Sequence, residues 1–212
     1  MTRLLFPTNQ PKQAQMEAYM RNQFTFCGLP ATERRQLATP LLKDSKSWSK
    51  DVLMEEIHYY FGLPEREYQY VAIDLANKNL GRLSIENIHQ LSQLVMEKSW
   101  WDSVDSLAGL FSSWLKQNMN NVEEVYNWFY QHDNMWMRRV SIILQLKFND
   151  QTNTDYLQQA ILNDRTTDEF FIQKAIGWSL RQYSKTNPEW VRLFISDYSL
   201  SKLAVREGSK YL

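Results

Sequence analysis

Trp101 and Asp105 stand four residues apart in Ser99-Trp100-Trp101-Asp102-Ser103-Val104-Asp105, a spacing that stacks both side chains on one face of a helix. An indole face attracts a cationic group, with a gain of ~0.5–2 kcal/mol that depends on desolvation. A carboxylate beside it stabilises positive charge as it develops. Further along come Arg139, in Met135-Trp136-Met137-Arg138-Arg139, and Trp178, in Gln173-Lys174-Ala175-Ile176-Gly177-Trp178. Each falls on a successive long helical segment. Lys174, Trp178 and Arg181 recur at i, i+4, i+7, opposite the apolar stripe Ile172, Ile176, Leu180 and Tyr183, so one helix carries a basic and aromatic face.

The elements that must position these residues are helices. Only 6 Gly and 6 Pro occur in 212 residues, the prolines read as segment boundaries, and apolar residues recur at three and four rather than two. The expected fold is all-α, with helices over about 12–26, 31–43, 48–61, 64–78, 84–97, 101–117, 121–131, 134–148, 154–163, 168–185, 188–197 and 201–211. Pro64-Glu65-Arg66-Glu67 and Asn187-Pro188-Glu189 have helix-start chemistry, with Asn187 as a cap. The helices starting near Pro64, Trp101, Asn134 and Asp168 begin 37, 33 and 34 residues apart, close to the period of helical-pair repeats. The expected architecture is therefore an α-solenoid of such pairs, forming a single domain over residues 1–212 with a concave binding face. Residues 1–10, which hold Pro7, read as a non-helical arm.

Composition narrows the function. A hydrophobic content of 43% closes a sizeable core and excludes whole-chain disorder. Lys plus Arg and Asp plus Glu number 24 each, so any nucleic-acid partner must be held by local rather than bulk charge. Cys27 has no partner for an internal disulfide, and His58, His89 and His132 are scattered, so no metal and no cofactor are expected. With neither a signal peptide nor a long apolar run, the expectation is a soluble cytoplasmic protein without membrane association.

Several strings carry a family resemblance: Cys27-Gly28-Leu29-Pro30 followed by Glu33-Arg34-Arg35, Pro64-Glu65-Arg66-Glu67, Lys98-Ser99-Trp100-Trp101-Asp102-Ser103-Val104-Asp105, Trp136-Met137-Arg138-Arg139, and Phe170-Phe171-Ile172-Gln173-Lys174-Ala175-Ile176-Gly177-Trp178. The chain resembles the AlkD family of DNA alkylation repair glycosylases, built from HEAT-like repeats, over most of its length. The resemblance implies duplex DNA as partner and excision of cationic N3- or N7-alkylpurines as activity. It implies that Trp101 and Trp178 clasp the backbone of the lesion-bearing nucleotide and that Asp105 faces the sugar. Arg139 would assist at the phosphate or orient the carboxylate. It also implies a base left in the stack and approached from the backbone side, over an open surface without a deep pocket. Phosphate contacts would supply most of the affinity and little sequence specificity; the candidates are Arg139, Lys174 and Arg181, and after them Arg34, Arg35 and Arg206. A site along a monomeric solenoid needs no second subunit.

One departure accompanies the resemblance. Residues before Gly28 have room for one complete helix, about 12–26, whereas family members acting on DNA have two. In this the chain resembles a shortened AlkD subgroup thought to lack base excision. The competing readings are a duplex-binding relative that does not excise and a HEAT-like scaffold for protein partners. Ordinary structural roles compete at single residues as well. One of Arg138 and Arg139 could bridge to a neighbouring helix's acid, and Arg66 could serve an ion pair as readily as binding. Asp102 reads as a cap or dipole partner, Trp48, Trp114, Trp128 and Trp190 as core, Trp136 as undecided, and Cys27 as a small buried hydrophobe.

Overall fold

The computed structural model describes residues 3–212, so the first two residues of the expected arm, Met1 and Thr2, lie outside the described residues. The described chain is all-α, with no strand beyond a single bridge between Thr25 and Glu65. It divides into two compact units, Met1–Asn87 and Ile88–Leu212. No helix among the described residues is long and apolar enough to cross a membrane.

The first unit contains α1 (Gln10–Tyr19), α2 (Ala31–Asp44), α3 (Lys50–Gly62) and α4 (Arg66–Lys78), and α5 (Ile85–Gln93) begins in it. Its core forms where α3 packs on α4. Leu53, Ile57, Tyr60 and Phe61 recur at helical spacing and are buried, as are Val71, Ala72, Leu75 and Ala76. Ser49 caps α3 by accepting from the Val52 amide at 3.3 Å. Pro40 does not mark a boundary: it lies inside α2, exposed.

The largest departure from the sequence reading is α1. Its helix stops at Tyr19 rather than near residue 26, because Arg21 and Asn22 both take left-handed backbone angles (φ 56°) and turn the chain. The following stretch runs extended beside the start of α4, where the Arg66 amide donates to the Thr25 carbonyl at 2.8 Å. Cys27, Gly28 and Leu29 then present three successive amides to the Glu67 carboxylate at 2.9, 2.9 and 3.0 Å. Glu67 is fully buried, so the Cys-Gly-Leu-Pro turn and the Pro-Glu-Arg-Glu segment form one structural lock. Gly28 is required there: its φ is +87°, and a Cβ would sit 2.3 Å from the Asn9 carbonyl oxygen. Arg66, also fully buried, lays its guanidinium 3.9 Å over the Phe24 ring, which makes its role structural.

The expected arm is non-helical from Arg3 to Asn9 and is fastened along its length. Arg3 donates twice to Glu56 Oε1 (3.1 and 2.9 Å), and the amides of Leu4 and Phe6 donate to the hydroxyls of Tyr60 and Tyr68. Phe6 stacks on Tyr68 with centroids 5.0 Å apart.

Cys27 is buried and free. Burial, with the charges of Glu67 and Glu65 beside it, pushes its thiol up to about 12. Only the thiolate is a good nucleophile. The native protein is therefore expected to resist iodoacetamide at pH 8 and to react fully once unfolded in guanidinium. Modification of the native protein at the rate of a free thiol would contradict the buried placement.

The second unit continues through α6 (Trp101–Leu115), α7 (Val122–Phe129), α8 (Met135–Ile143), α9 (Thr154–Asp164), α10 (Phe170–Tyr183), α11 (Pro188–Asp197) and α12 (Lys202–Gly208). Helices α6, α8 and α10 pack in succession, α8 also touches α7 and α9, and α10 also touches α11 and α12. This is the stacking of helical pairs that the periodicity predicts. Four starts are capped by side chains: Asn134 on α8, Asn153 on α9, Asn187 on α11 as expected, and Ser201 on α12. Helix α8 ends at Ile143, short of the expected residue 148. The turn beyond it is held by the Gln145 amide, which bonds both the amide and the carbonyl of Asn153. Among the tryptophans, Trp114 is core as expected and Trp136 is buried, while Trp48, Trp128 and Trp190 are half-buried.

Candidate active site

Helix α6 carries Trp101 and Asp105, with Asp102 in its first turn, where an acid favours the helix dipole. Arg139 comes from α8 and Trp178 from α10. All four lie in the second unit. Arg139 joins the three helices: its Nε and Nη2 donate to the two oxygens of Asp105, each at 2.8 Å, and its Nη1 donates to the Phe171 carbonyl in the first turn of α10. The guanidinium fork matches the carboxylate in the two-point geometry that fixes orientation as well as distance. The side chain of Arg139 is only 5% exposed, that of Asp105 19%. Arg139 is thus committed to orienting the carboxylate, whose partial exposure leaves it open to a ligand.

That opening is a cleft of about 390 Å³, lined by Asp105, Gly109 and Ser112 on α6, by Lys147, and by Trp178 and Gln182 on α10. Its volume falls in the lower range of ligand-binding clefts. The structure brings Asp105 and Arg139 into contact and sets Asp105 and Trp178 on one cleft. Trp101 stands one turn before Asp105, half-buried, and is not among the residues that line the cleft.

Arg138, the adjacent arginine, points elsewhere. It bonds Asp164 of α9 at 2.9 Å and the carbonyls of His132 and Asp133 at 2.8 Å, tying α8 to α9. The cluster of Trp100, Trp136 and Phe171, with centroids 5.0–5.9 Å apart, packs beside the site. The Phe171 carbonyl, Ser112, Lys147 and Gln182 were not readable as site residues. A backbone acceptor has no sequence signal, and the others are ordinary residues on helix faces.

The remaining candidate phosphate contacts separate into two groups. Arg34 and Arg35 lie in the first unit. Arg34 is buried, pairs with Asp74 at 2.7 Å and lies over the Tyr70 ring, whereas Arg35 is exposed. Lys174, Arg181 and Arg206 all converge on Glu207, at 3.3, 3.3 and 3.6 Å, together with Lys210 at 2.8 Å. The hydrogen bond from Lys210, then that from Lys174 with its charge, hold the Glu207 carboxyl down at about 2. A carboxyl depressed on folding stabilises the protein above its unfolded value, and that contribution disappears as pH falls from about 4.5 through about 2. Glu207→Gln is therefore expected to lower the thermal midpoint at neutral pH, with the gap from wild type closing between pH 5 and 2. A gap that stays constant over that interval would contradict the ion-paired state. Among the described residues, no group of three His, Cys, Asp or Glu could hold a metal ion.

Comparison with known proteins gives these residues a context. The family model described as DNA alkylation repair enzyme matches residues 2–212. A solved structure titled as a predicted DNA alkylation repair enzyme from Enterococcus faecalis superposes with a TM-score of 0.98 at 51% identity, covering 99% of each chain. AlkD2 from Streptococcus mutans shares the fold at a TM-score of 0.68 and 18% identity, over 94% of this chain and 99% of its own. The smu.31 protein from Streptococcus mutans UA159 does so at 0.67 and 18%, over 96% of this chain and 98% of its own. No curated protein matches the chain. With its family match running through both compact units, the chain belongs to the DNA alkylation repair enzyme family.

Proposed function

We propose that this protein binds duplex DNA and hydrolyses the N-glycosidic bond of purines alkylated at N3 or N7. The observation that carries the reading is the Asp105 carboxylate, aligned by Arg139 through two 2.8 Å bonds and opening onto a cleft that Trp178 shares. A purine alkylated at either position is already cationic and departs from the sugar without the proton that an ordinary glycoside requires. No general acid is needed. What remains is to stabilise the developing oxocarbenium ion and to place a water, and one shielded carboxylate close to the sugar can do both. Asp105 takes that role. The indoles of Trp101 and Trp178 attract the cationic nucleotide and pack against deoxyribose, and Arg139 keeps the carboxylate aimed.

The chemistry calls for no cofactor, and we place the protein in the cytoplasm as a monomer, acting on DNA with little sequence preference. The test is release of 7-methylguanine from methylated duplex DNA. Release that is lost in Asp105→Asn supports the proposal. Duplex binding without release supports a non-excising relative, a second reading favoured by one observation: both oxygens of Asp105 are already engaged by Arg139. Absence of duplex binding at low salt leaves the third reading, a scaffold for protein partners.

A further inference from the structure

Arg139 is ill-placed to grip a phosphate. Its side chain is 5% exposed, two of its nitrogens are held by Asp105, and the third is held by the Phe171 carbonyl. The charge available to a strand beside Trp178 lies one helix further on. Lys174 and Arg181 occupy the same face of α10 as Trp178, one on each side of it, and Arg206 and Lys210 approach from α12 and the turn after it. All four reach the one carboxylate of Glu207 within 3.6 Å.

Burial differs sharply across this cluster. The Glu207 side chain is 9% exposed, while Lys174, Arg181, Arg206 and Lys210 are 39, 29, 71 and 47% exposed. One inward carboxylate therefore gathers four outward cations and leaves a net charge of +3. Gathered like charges repel one another and favour an added anion. Each ammonium has three donors and each guanidinium five, more than one carboxylate can take up, so donors remain for an external ligand. The arrangement depends on Gly177, next to Trp178. A Cβ there would meet the Glu207 Cβ at 2.5 Å, so only glycine lets Glu207 reach this depth against α10.

We propose that Lys174, Arg181, Arg206 and Lys210, anchored by Glu207, form the phosphate clamp of this protein. In it Lys210 is a phosphate contact and Arg139 is not. The ligand is the phosphodiester backbone of duplex DNA, and the proposal rests on the duplex-binding reading above. The clamp neutralises backbone charge next to Trp178, while Asp105 and Arg139 remain reserved for the sugar.

The test is duplex binding by the full chain, followed by fluorescence anisotropy across a salt series. Arg206→Gln and Lys210→Gln are compared singly and together, with thermal midpoints recorded to confirm folding. Each lost phosphate contact lowers the slope of log K against log salt by about 0.9. The double variant is expected to lose between about 1 and 2 units of slope, and Lys43→Gln, an exposed charge on α2, none. A double variant with the wild-type slope overturns the clamp while the duplex reading stands. A wild type that binds no duplex at low salt removes both.

Discussion

Glu67→Ala is expected to destabilise the fold by about 3–5 kcal/mol, read as a shift in the denaturation midpoint. Glu67 lies at 0% exposure and accepts three backbone amides at 2.9–3.0 Å. Hydrogen bonds to a charged group contribute roughly 1.5–3 kcal/mol each, and a buried donor left without its acceptor costs a further desolvation penalty. Three donors lose their partner at once, though the separate terms do not add in full. In a protein of this size each 1 kcal/mol moves the thermal midpoint by about 2–4 °C, so the expected fall is on the order of 10 °C. Glu67→Gln tests the same point more narrowly. The Gly28 and Leu29 amides share one Glu67 oxygen and the Cys27 amide takes the other. The single oxygen of Gln can therefore keep two of the three bonds while its NH2 group faces the Cys27 donor, and its cost should be smaller than that of Ala but well above zero. A loss below about 1 kcal/mol in both variants would show that the turn holds itself without the carboxylate.

The second large effect concerns chemistry. Asp105→Asn is expected to reduce base release by at least about 10²-fold, the scale on which loss of one preorganised electrostatic group acts. Asparagine keeps the size of the side chain but removes the charge that stabilises an oxocarbenium ion, and it offers Arg139 one oxygen in place of two. Arg139→Lys should also lower release, because a lysine cannot reproduce the two-point fork. Its defect arises through the orientation of Asp105, so duplex affinity and its salt slope should remain near wild type. That outcome separates Arg139 as a positioning residue from the exposed cations around Glu207.

The sequence made the helices readable to within a few residues wherever a proline, a cap or an apolar stripe marked the ends, as at Asn187-Pro188 and in the stripe Ile172, Ile176, Leu180. It misplaced the end of α1 because Arg21, a good helix former, hides the break, whereas Asn22 beside it, a residue that readily takes the left-handed angle, carried the stop signal. Asp105 and Arg139 could be singled out from spacing and resemblance, but not their mutual geometry. Nothing in the pair Arg138-Arg139 says which side chain turns toward Asp105 and which toward Asp164; the rotation of α8 decides it. The same limit applies to Glu67 and Glu207. Each looks like an ordinary helix acid until three amides from a distant turn, or four cations from two segments, are brought around it.

Incubating the purified protein with methylated duplex DNA, and measuring free 7-methylguanine alongside Asp105→Asn, bears most directly on the proposed activity. The account predicts release by the wild-type chain and its loss in the variant, with both proteins binding the duplex. Equal release by the two proteins would remove Asp105 from the chemistry, and no release by a wild type that binds the duplex would contradict excision itself.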